Sequence, residues 1–554
     1  MQSTAPEAGN GSRSARTGRA DLRPVGRHRP RIGWSWAGVL AVALAAAPGL
    51  VQVVLLLTQH SAATLWGDQA LLNLASHRAA DLHQLRGVYS RYGFHEPGPA
   101  VFYVLAPFVA MLEGTGRGAY LGSAAVNATA AGAVAWLVVA RFGAWAGLWA
   151  AAVVDLYAYF LDVRLLRQPW NPYLIVVPMV LFVVLWVLSL LRTRGAWLWL
   201  SVVGSYEVQT HLATGFFVVG MVAVAATIAL VRSGRDHSLG EAVRDWRRPA
   251  RMAGAAVLVA IWVPTVVEIL VDRPNNVLLL WRFFTSVHLE PSLRSAVGMA
   301  ASAISVVPLG NRVYTLVIHR NHAALAAEAV ALVALSLVTL AVGRRRHQPA
   351  AAFVTAATAG VLVGVYSLTR AAGGVMLYFA LWLSFVPVAV LLGLGVAALG
   401  RSAGSGIARW SSTGAVALAA LLAALPAVWQ SARLPPAGAS TQGVAKVTAS
   451  LAYAAEKSAT CHGSVVYLHI GNPALWPEAA GIASALRRQG CVTRALPAQW
   501  NLLFGRHGKG LPVKGSFSLY LSPGPRPPHA GRTVATVGNQ VLAWSAASSG
   551  ARTD

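Results

Sequence analysis

The sequence predicts a mainly α-helical, polytopic membrane protein of about eleven transmembrane helices, followed by a small extracytoplasmic α/β domain at the C-terminus. Three observations carry this. Of 554 residues, 56% are hydrophobic and only 12% are charged, whereas a soluble domain carries about 25% charged residues. The apolar residues fall in runs long enough to span, since ~20 helical residues cross a bilayer core. The basic residues behind the net charge of +26 collect in short stretches between those runs. Membrane topology accounts for that clustering, and nucleic-acid binding is not required to explain the charge.

Residues 1–32, rich in Arg, Ser, Gly and Pro and without apolar periodicity, read as a disordered basic cytoplasmic tail. The first apolar run, Ile32 to Leu57, contains Ala45-Ala46-Ala47, which mimics a signal-peptide cleavage site. It is longer than a usual signal-peptide core and many apolar runs follow, so it reads as an uncleaved first span. Further spans are expected at about 119–141, 144–161, 173–191, 212–231, 252–271, 322–342, 350–369, 375–399 and 411–430, with a shorter run near 196–209.

The run Ala100 to Leu112 is ambiguous, and the positive-inside bias arbitrates. If it does not span, every cytoplasmic connection is basic: Arg141, Arg192 and Arg194, the stretch 232–251 with Arg244, Arg247, Arg248 and Arg251, then Arg344-Arg345-Arg346, then Arg401 to Arg409. If it spanned, 232–251 and 344–346 would be translocated. Residues 100–112 are therefore read as an interfacial or re-entrant segment on the outer side. In that orientation only Glu7, Asp21, Asp236, Glu241 and Asp245 stay inside, and the other carboxylates lie outside or near the outer ends of spans. The expected organisation is a tail at 1–32, a transmembrane domain at 33–430 with outer loops 58–118 and 272–321, and the extracytoplasmic domain at 431–554. Within that last part, Ser464 to Leu468, Val492 to Arg494 and Phe517 to Leu521 are strand-like, and Pro477 to Gln489 is helix-like and ends at Gly490. The two cysteines, Cys461 and Cys491, lack metal-ligand spacing and form either a disulfide or two free thiols; an oxidising compartment permits the disulfide. The domain shows no catalytic constellation and is expected to shape or bind an acceptor glycan.

The first outer loop is the richest stretch: Trp66-Gly67-Asp68-Gln69, then Tyr89-Ser90-Arg91-Tyr92-Gly93-Phe94-His95-Glu96-Pro97-Gly98-Pro99, then Phe102-Tyr103. Asp68, about ten residues past the first span, suits a general base that takes a proton from an attacking hydroxyl. It equally suits the N-cap of the apolar helix that follows. A membrane-surface Asp after the first span, a His/Pro/Gly-Pro element about thirty residues on, an interfacial aromatic run and an Asp after the third span resemble the GT-C superfamily of polyprenyl-linked-sugar glycosyltransferases, which includes protein O-mannosyltransferases and lipid A aminoarabinose transferases. The Tyr89–Pro99 stretch and Gln168-Pro169-Trp170-Asn171-Pro172 more specifically resemble a group of large actinobacterial membrane proteins assigned to it. The resemblance covers roughly residues 33–230 with motifs. It implies a GT-C-like fold, a base at Asp68 and a second functional carboxylate at Asp162. The usual family element is His-Pro-Pro, and this chain departs from it with His95-Glu96-Pro97-Gly98-Pro99.

Asp155 lies two turns below Asp162 on the same helical face, where it needs a cavity or an ion pair with an outer-end Arg. Glu207, Gln209, Thr210 and His211 interrupt apolar sequence too short for two full spans, so His211 either lines an acceptor pocket or is a packed histidine. In the second outer loop, aromatics interleaved with Arg273 and Arg282 suit an interfacial helix whose guanidinium groups meet phosphate, either of a substrate or of lipid headgroups. Tyr378 and Trp382 read as packing or interface residues. No phosphate loop, dinucleotide fingerprint or HExxH occurs.

The expected function is a membrane glycosyltransferase of the cell membrane, moving a sugar from a polyprenyl-phosphate donor to a cell-envelope glycan, lipid or protein acceptor on the outer face. Asp68 and Asp162 are its catalytic candidates. His95, Glu96, Arg91, Asn171, His211, Arg273 and Arg282 are its substrate-binding candidates. No cofactor is expected, although a pyrophosphate donor would favour a divalent metal on Asp68, Glu96 and Asp162. The rival readings are a transporter or flippase for a lipid-linked or anionic solute, and a non-catalytic membrane protein that binds cell-wall glycans.

Overall fold

The computed structural model describes residues 35–233, 249–286, 291–305, 322–343, 347–371, 376–400, 408–439, 443–458, 464–505, 517–525 and 530–546. Helices dominate: α1 (Trp36–Thr58), α2 (Gly67–Ala80), α3 (Ala100–Met111), α4 (Gly118–Phe142), α5 (Ala144–Leu161), the single turn α6 (Asn171–Leu174), α7 (Val176–Leu190), α8 (Ala196–Thr210), α9 (Gly215–Ser233), α10 (Pro249–Val271), α11 (Asn276–Ser286), α12 (Leu293–Ile304), α13 (His322–Val342), α14 (His347–Thr369), α15 (Phe385–Leu399) and α16 (Ala408–Ala432). Among the described residues nine helical segments are long and apolar enough to cross a membrane, so the chain is a multi-pass membrane protein. The other two expected spans are also helical, as the fifteen-residue α8 and the C-terminal part of α13. Residues 100–111 form a helix of twelve residues, about 18 Å long at 1.5 Å per residue and too short for a ~30 Å core.

Small residues let these helices pack closely. A side chain at Gly49 would meet Ala128 at 2.8 Å, which brings α1 and α4 into backbone contact. The central core packs α4, α5, α7 and α15 around Trp186, Phe182, Phe217, Trp382 and Phe385, all fully buried. Trp382 also donates its indole N–H to the Phe379 carbonyl at 2.6 Å, in keeping with a packing residue.

Contacts between connections fix which of them share an end of the bundle. Gln59 meets Ala437, Asp68 meets Trp170, Glu96 meets Leu212, His95 meets Asn276, and His211 packs on Tyr378. The C-terminal domain sits at this end. It contains α17 (Gly443–Ser458), β1 (Val465–Ile470), α18 (Trp476–Arg488), β2 (Val492–Leu496), α19 (Asn501–Phe504), β3 (Phe517–Pro523), β4 (Arg532–Val537) and β5 (Gln540–Ala546). The sheet order is β2-β1-β3-β5-β4, parallel across β2-β1-β3 and antiparallel across β3-β5-β4. Its core continues into the membrane part: Leu451, Leu468, Ile482 and Leu519 form one cluster with Leu56, Leu65, Leu71 and Leu121. Cys491 is buried and disulfide-bonded, whereas Cys461 lies outside the described residues.

Candidate active site

The loop between α2 and α3 folds back as a short hairpin. Tyr89 and His95 bridge antiparallel, Ser90 N–H donates to the Phe94 carbonyl at 2.8 Å, and Glu96 N–H to the Val88 carbonyl at 2.7 Å. Gly93 closes the turn at φ +87°, a conformation that glycine adopts without strain. Gly87 lies so close to the returning strand that a Cβ would sit 2.4 Å from the Glu96 carbonyl oxygen. Asn276, at the start of α11, clamps the hairpin. Its side-chain amide donates to the carbonyls of His95 (2.8 Å) and Glu96 (3.2 Å), and its oxygen accepts from His95 N–H at 2.8 Å.

Side chains alternate across an extended segment, so the hairpin presents two faces. Tyr89 and His95 face a cavity of about 210 Å³, also lined by Arg78, Arg86, Phe102, Asp272 and residues 501–503 of the C-terminal domain. Ser90, Tyr92, Phe94 and Glu96 face a second cavity of about 70 Å³, lined by His211, Phe216, Phe283, Phe284, Arg370 and Phe379. The first is mixed polar and apolar, and the second is mostly aromatic.

Asp68 lies where these elements meet. It occupies the first turn of α2, whose N-cap is Trp66, so its carboxylate does not cap the helix. Instead Oδ1 accepts from the Tyr89 hydroxyl at 2.7 Å and Oδ2 from the Trp170 indole N–H at 3.0 Å. Both donors are neutral, and no cation among the described residues forms an ion pair with it. Burial raises the Asp68 pKa above the ordinary carboxylate range, against the lowering effect of the two hydrogen bonds. Burial and the adjacent carboxylate push Tyr89 up strongly, so it remains a protonated donor. Tyr378 packs edge-on against Trp170 at 5.1 Å, and burial raises its hydroxyl pKa against the field of Arg91.

Asp162 is arranged differently. It ends α5 with φ +93°, and its Oδ1 accepts from Arg164 N–H at 2.9 Å, which caps the 3-10 turn Val163–Leu166. Its Oδ2 accepts from Arg164 Nε at 2.7 Å. Glu96 is buried against His211, with Oε1 3.4 Å from Nδ1, and accepts from Leu212 N–H at 2.5 Å. Asn171 is buried and donates to the Thr210 carbonyl at 3.3 Å, and His95 Nε2 contacts the Leu502 carbonyl at 2.9 Å. Arg91 stacks on Tyr92 and Phe379. Arg273 is exposed and donates to the carbonyls of Ile269 and Asp272 at the end of its own helix; Arg282 is exposed on α11. Neither lines either of these two cavities. Asp68, Glu96 and Asp162 thus keep separate partners, and no group of three or more His, Cys, Asp or Glu placed to hold a metal occurs among the described residues.

Asp155 is fully buried, and neither oxygen has a hydrogen-bond partner among the described residues; of the two surroundings expected for it, a small cavity shared with Asn127 is the one found. Glu207, Gln209 and Thr210 end the fifteen-residue α8, and His211 stands in the tight turn into α9. Tyr89, Trp170, Tyr378, Asn276 and Arg370 are the site residues that sequence reasoning missed. Trp170 lay inside a quoted motif, and the odd-numbered hairpin face offered a signal for Tyr89. Tyr378 and Arg370 reach the site only through tertiary packing.

No family model matches the sequence, and no curated protein matches it. Among solved structures the chain is similar to ArnT from Cupriavidus metallidurans. The apo form matches with TM-score 0.52, 15% identity and coverage of 92% of this chain and 98% of that one. The form bound to undecaprenyl phosphate matches with TM-score 0.55, 15% identity and coverage of 93% and 99%. The Archaeoglobus fulgidus oligosaccharyltransferase in its apo form aligns at TM-score 0.34 and 12% identity over 84% of this chain and 65% of that one. The chain has the ArnT fold, the GT-C-like architecture that the resemblance implied.

Proposed function

We propose that this chain, built on the ArnT fold, is a membrane glycosyltransferase that moves a sugar from a polyprenyl-phosphate donor to a cell-envelope acceptor, with Asp68 as general base. The observation that carries the reading is a carboxylate held by two neutral donors, one of which, Tyr89, lines the polar cavity. Tyr89 and Trp170 each occupy one lone pair of Asp68, which leaves further acceptor capacity on both oxygens. In the reaction the acceptor hydroxyl oxygen attacks the anomeric carbon and the carbon–oxygen bond to phosphate breaks. Asp68 takes the hydroxyl proton, and polyprenyl phosphate leaves with the electron pair, so the anomeric configuration inverts. Negative charge develops on the departing phosphate, where cationic side chains stabilise it most. Arg370 lines the aromatic cavity and Arg91, already suggested by the sequence, lies against Phe379 in its wall, so Arg370 takes the place beside Arg91 that the sequence suggested for Arg273 and Arg282. The phenylalanines of that cavity suit the first isoprenoid units, and undecaprenyl phosphate bound to ArnT supports the donor class. Asp162 acts as a positioning residue that holds the turn leading to Trp170. The site faces outward if the basic connections stay in the cytoplasm.

The test is to supply purified protein and Asp68→Asn in detergent with several polyprenyl-phosphate sugars and to measure sugar transfer or release. Wild type should release sugar, and the variant should be slower by about 10²–10⁴-fold, the usual worth of a general base. Unchanged turnover in the variant rejects the assignment.

A further inference from the structure

The cavity of about 210 Å³ has room for roughly seven waters at ~30 Å³ each, the scale of one sugar ring. Its walls come from both parts of the molecule: Leu71, Ala75 and Arg78 of α2, Tyr89 and His95 of the hairpin, and Asn501 to Leu503 of the C-terminal domain. Tyr89 lines it and bonds Asp68, so a molecule seated there lies one side chain from the base. The donor-type aromatics are on the other face of the hairpin.

Arg78 is the unexplained group in this cavity. Its Nε donates to Gln84 Oε1 at 2.8 Å and its Nη1 to the Phe504 carbonyl at 3.2 Å, both neutral acceptors. Among the described residues Nη2 has no acceptor and no carboxylate pairs with the guanidinium. The contrast with Arg86, in the same cavity, is plain: Arg86 is neutralised by Glu268 at 3.1 Å and Asp272 at 2.7 Å. A guanidinium offers five N–H donors in a fork that matches the oxygens of phosphate or carboxylate. Position in the last turn of α2 favours a positive charge there, but it does not account for donors turned into a cavity. Burial and the like charge of Arg487 lower the Arg78 pKa to about 10, so it remains a cation at neutral pH and gains from an anionic partner. Gly505 allows this approach, since a Cβ there would lie 3.3 Å from the Arg78 guanidinium carbon.

We propose that this cavity is the acceptor compartment and that Arg78 selects an acceptor sugar carrying an anionic substituent, a phosphate or a carboxylate. The inference rests on the glycosyltransferase reading for the word acceptor, but the anion site itself is testable without any donor. The full chain in detergent is titrated calorimetrically with mannose 6-phosphate, glucuronate, mannose, glucose and inorganic phosphate. Wild type should bind at least one charged sugar about tenfold or more tighter than its neutral counterpart, and the tighter of the two tells phosphate from carboxylate. Arg78→Gln should lose the preference and Arg78→Lys should keep part of it. A readout that needs no variant accompanies this: mannose 6-phosphate or glucuronate, but not mannose, should protect Arg78 of the wild type from phenylglyoxal, followed by mass spectrometry. Absence of charge preference in wild type, an unchanged preference in Arg78→Gln, or inorganic phosphate binding as tightly as the sugar phosphate overturns the proposal. If Asp68→Asn retains the binding while no polyprenyl donor is turned over by wild type, the donor reading fails and the anion site stands.

Discussion

Asp68 and Asp162 both lie at the same end of the bundle, and the GT-C resemblance marks both, yet their surroundings oppose each other. Asp162 is satisfied within its own turn by the backbone and side chain of Arg164, two residues away. Asp68 is held by residues 21 and 102 positions distant, each neutral. The oxygens of Asp162 are therefore taken up locally by Arg164. A carboxylate whose pKa burial raises, and that only neutral dipoles orient, keeps its affinity for a proton. Tertiary placement, more than residue type, separates the two.

The strongest way to break this comparison is to amidate each carboxylate in turn. Asp68→Asn should cost about 10²–10⁴-fold in kcat. Asp162→Asn, which keeps an oxygen for the Arg164 N–H, should stay within about tenfold and lower stability by no more than ~0.5–2 kcal/mol, the worth of a cap; equal losses in kcat would erase the distinction. Next in size is Tyr89→Phe, which removes a hydrogen bond to a charged group worth ~1.5–3 kcal/mol. Transfer should fall about tenfold or more, and because the lost bond favoured the anion, the acid limb of the pH profile should move to higher pH; a limb that stays in place shows that Tyr89 does not tune the base. The smallest effect lies in the wild type itself. The Asp68 pKa is raised, so kcat/KM should decline as pH falls through a value above the ordinary carboxylate range, before exposed carboxylates protonate. A limb inside that range would contradict the burial of Asp68.

Much of the fold is legible because bilayer physics leaves few options. Runs such as 119–141 and 173–191 must be helical to satisfy their backbone groups, and the structure has α4 and α7 there. The segment 100–112 could be set apart by length and by the charge of the loops that follow. In the C-terminal domain β1, β2, β3 and α18 were readable, whereas β4 and β5 were not. Arg532 to Val537 and Gln540 to Ala546 carry mixed polar residues; β5 joins the sheet beside β3 with β4 in between in the chain, and β4 pairs only with β5. For the site, Asp68, Glu96 and His211 were legible as polar groups in apolar surroundings. The hydrogen bonds that give Asp68 its character were not, because Trp170 is brought from beyond α5 and no local pattern encodes that approach.

By itself the sequence determined that the chain is a multi-pass helical membrane protein with an appended α/β domain, because hydrophobic length and the clustering of positive charge act locally and leave a linear record. Only the tertiary structure decided which carboxylate is held by two neutral donors, which arginines line the cavities, and that Asp155 is buried with no hydrogen-bond partner among the described residues. Those properties depend on burial and on donors from distant segments, and burial is a property of the packed bundle and not of any stretch of chain.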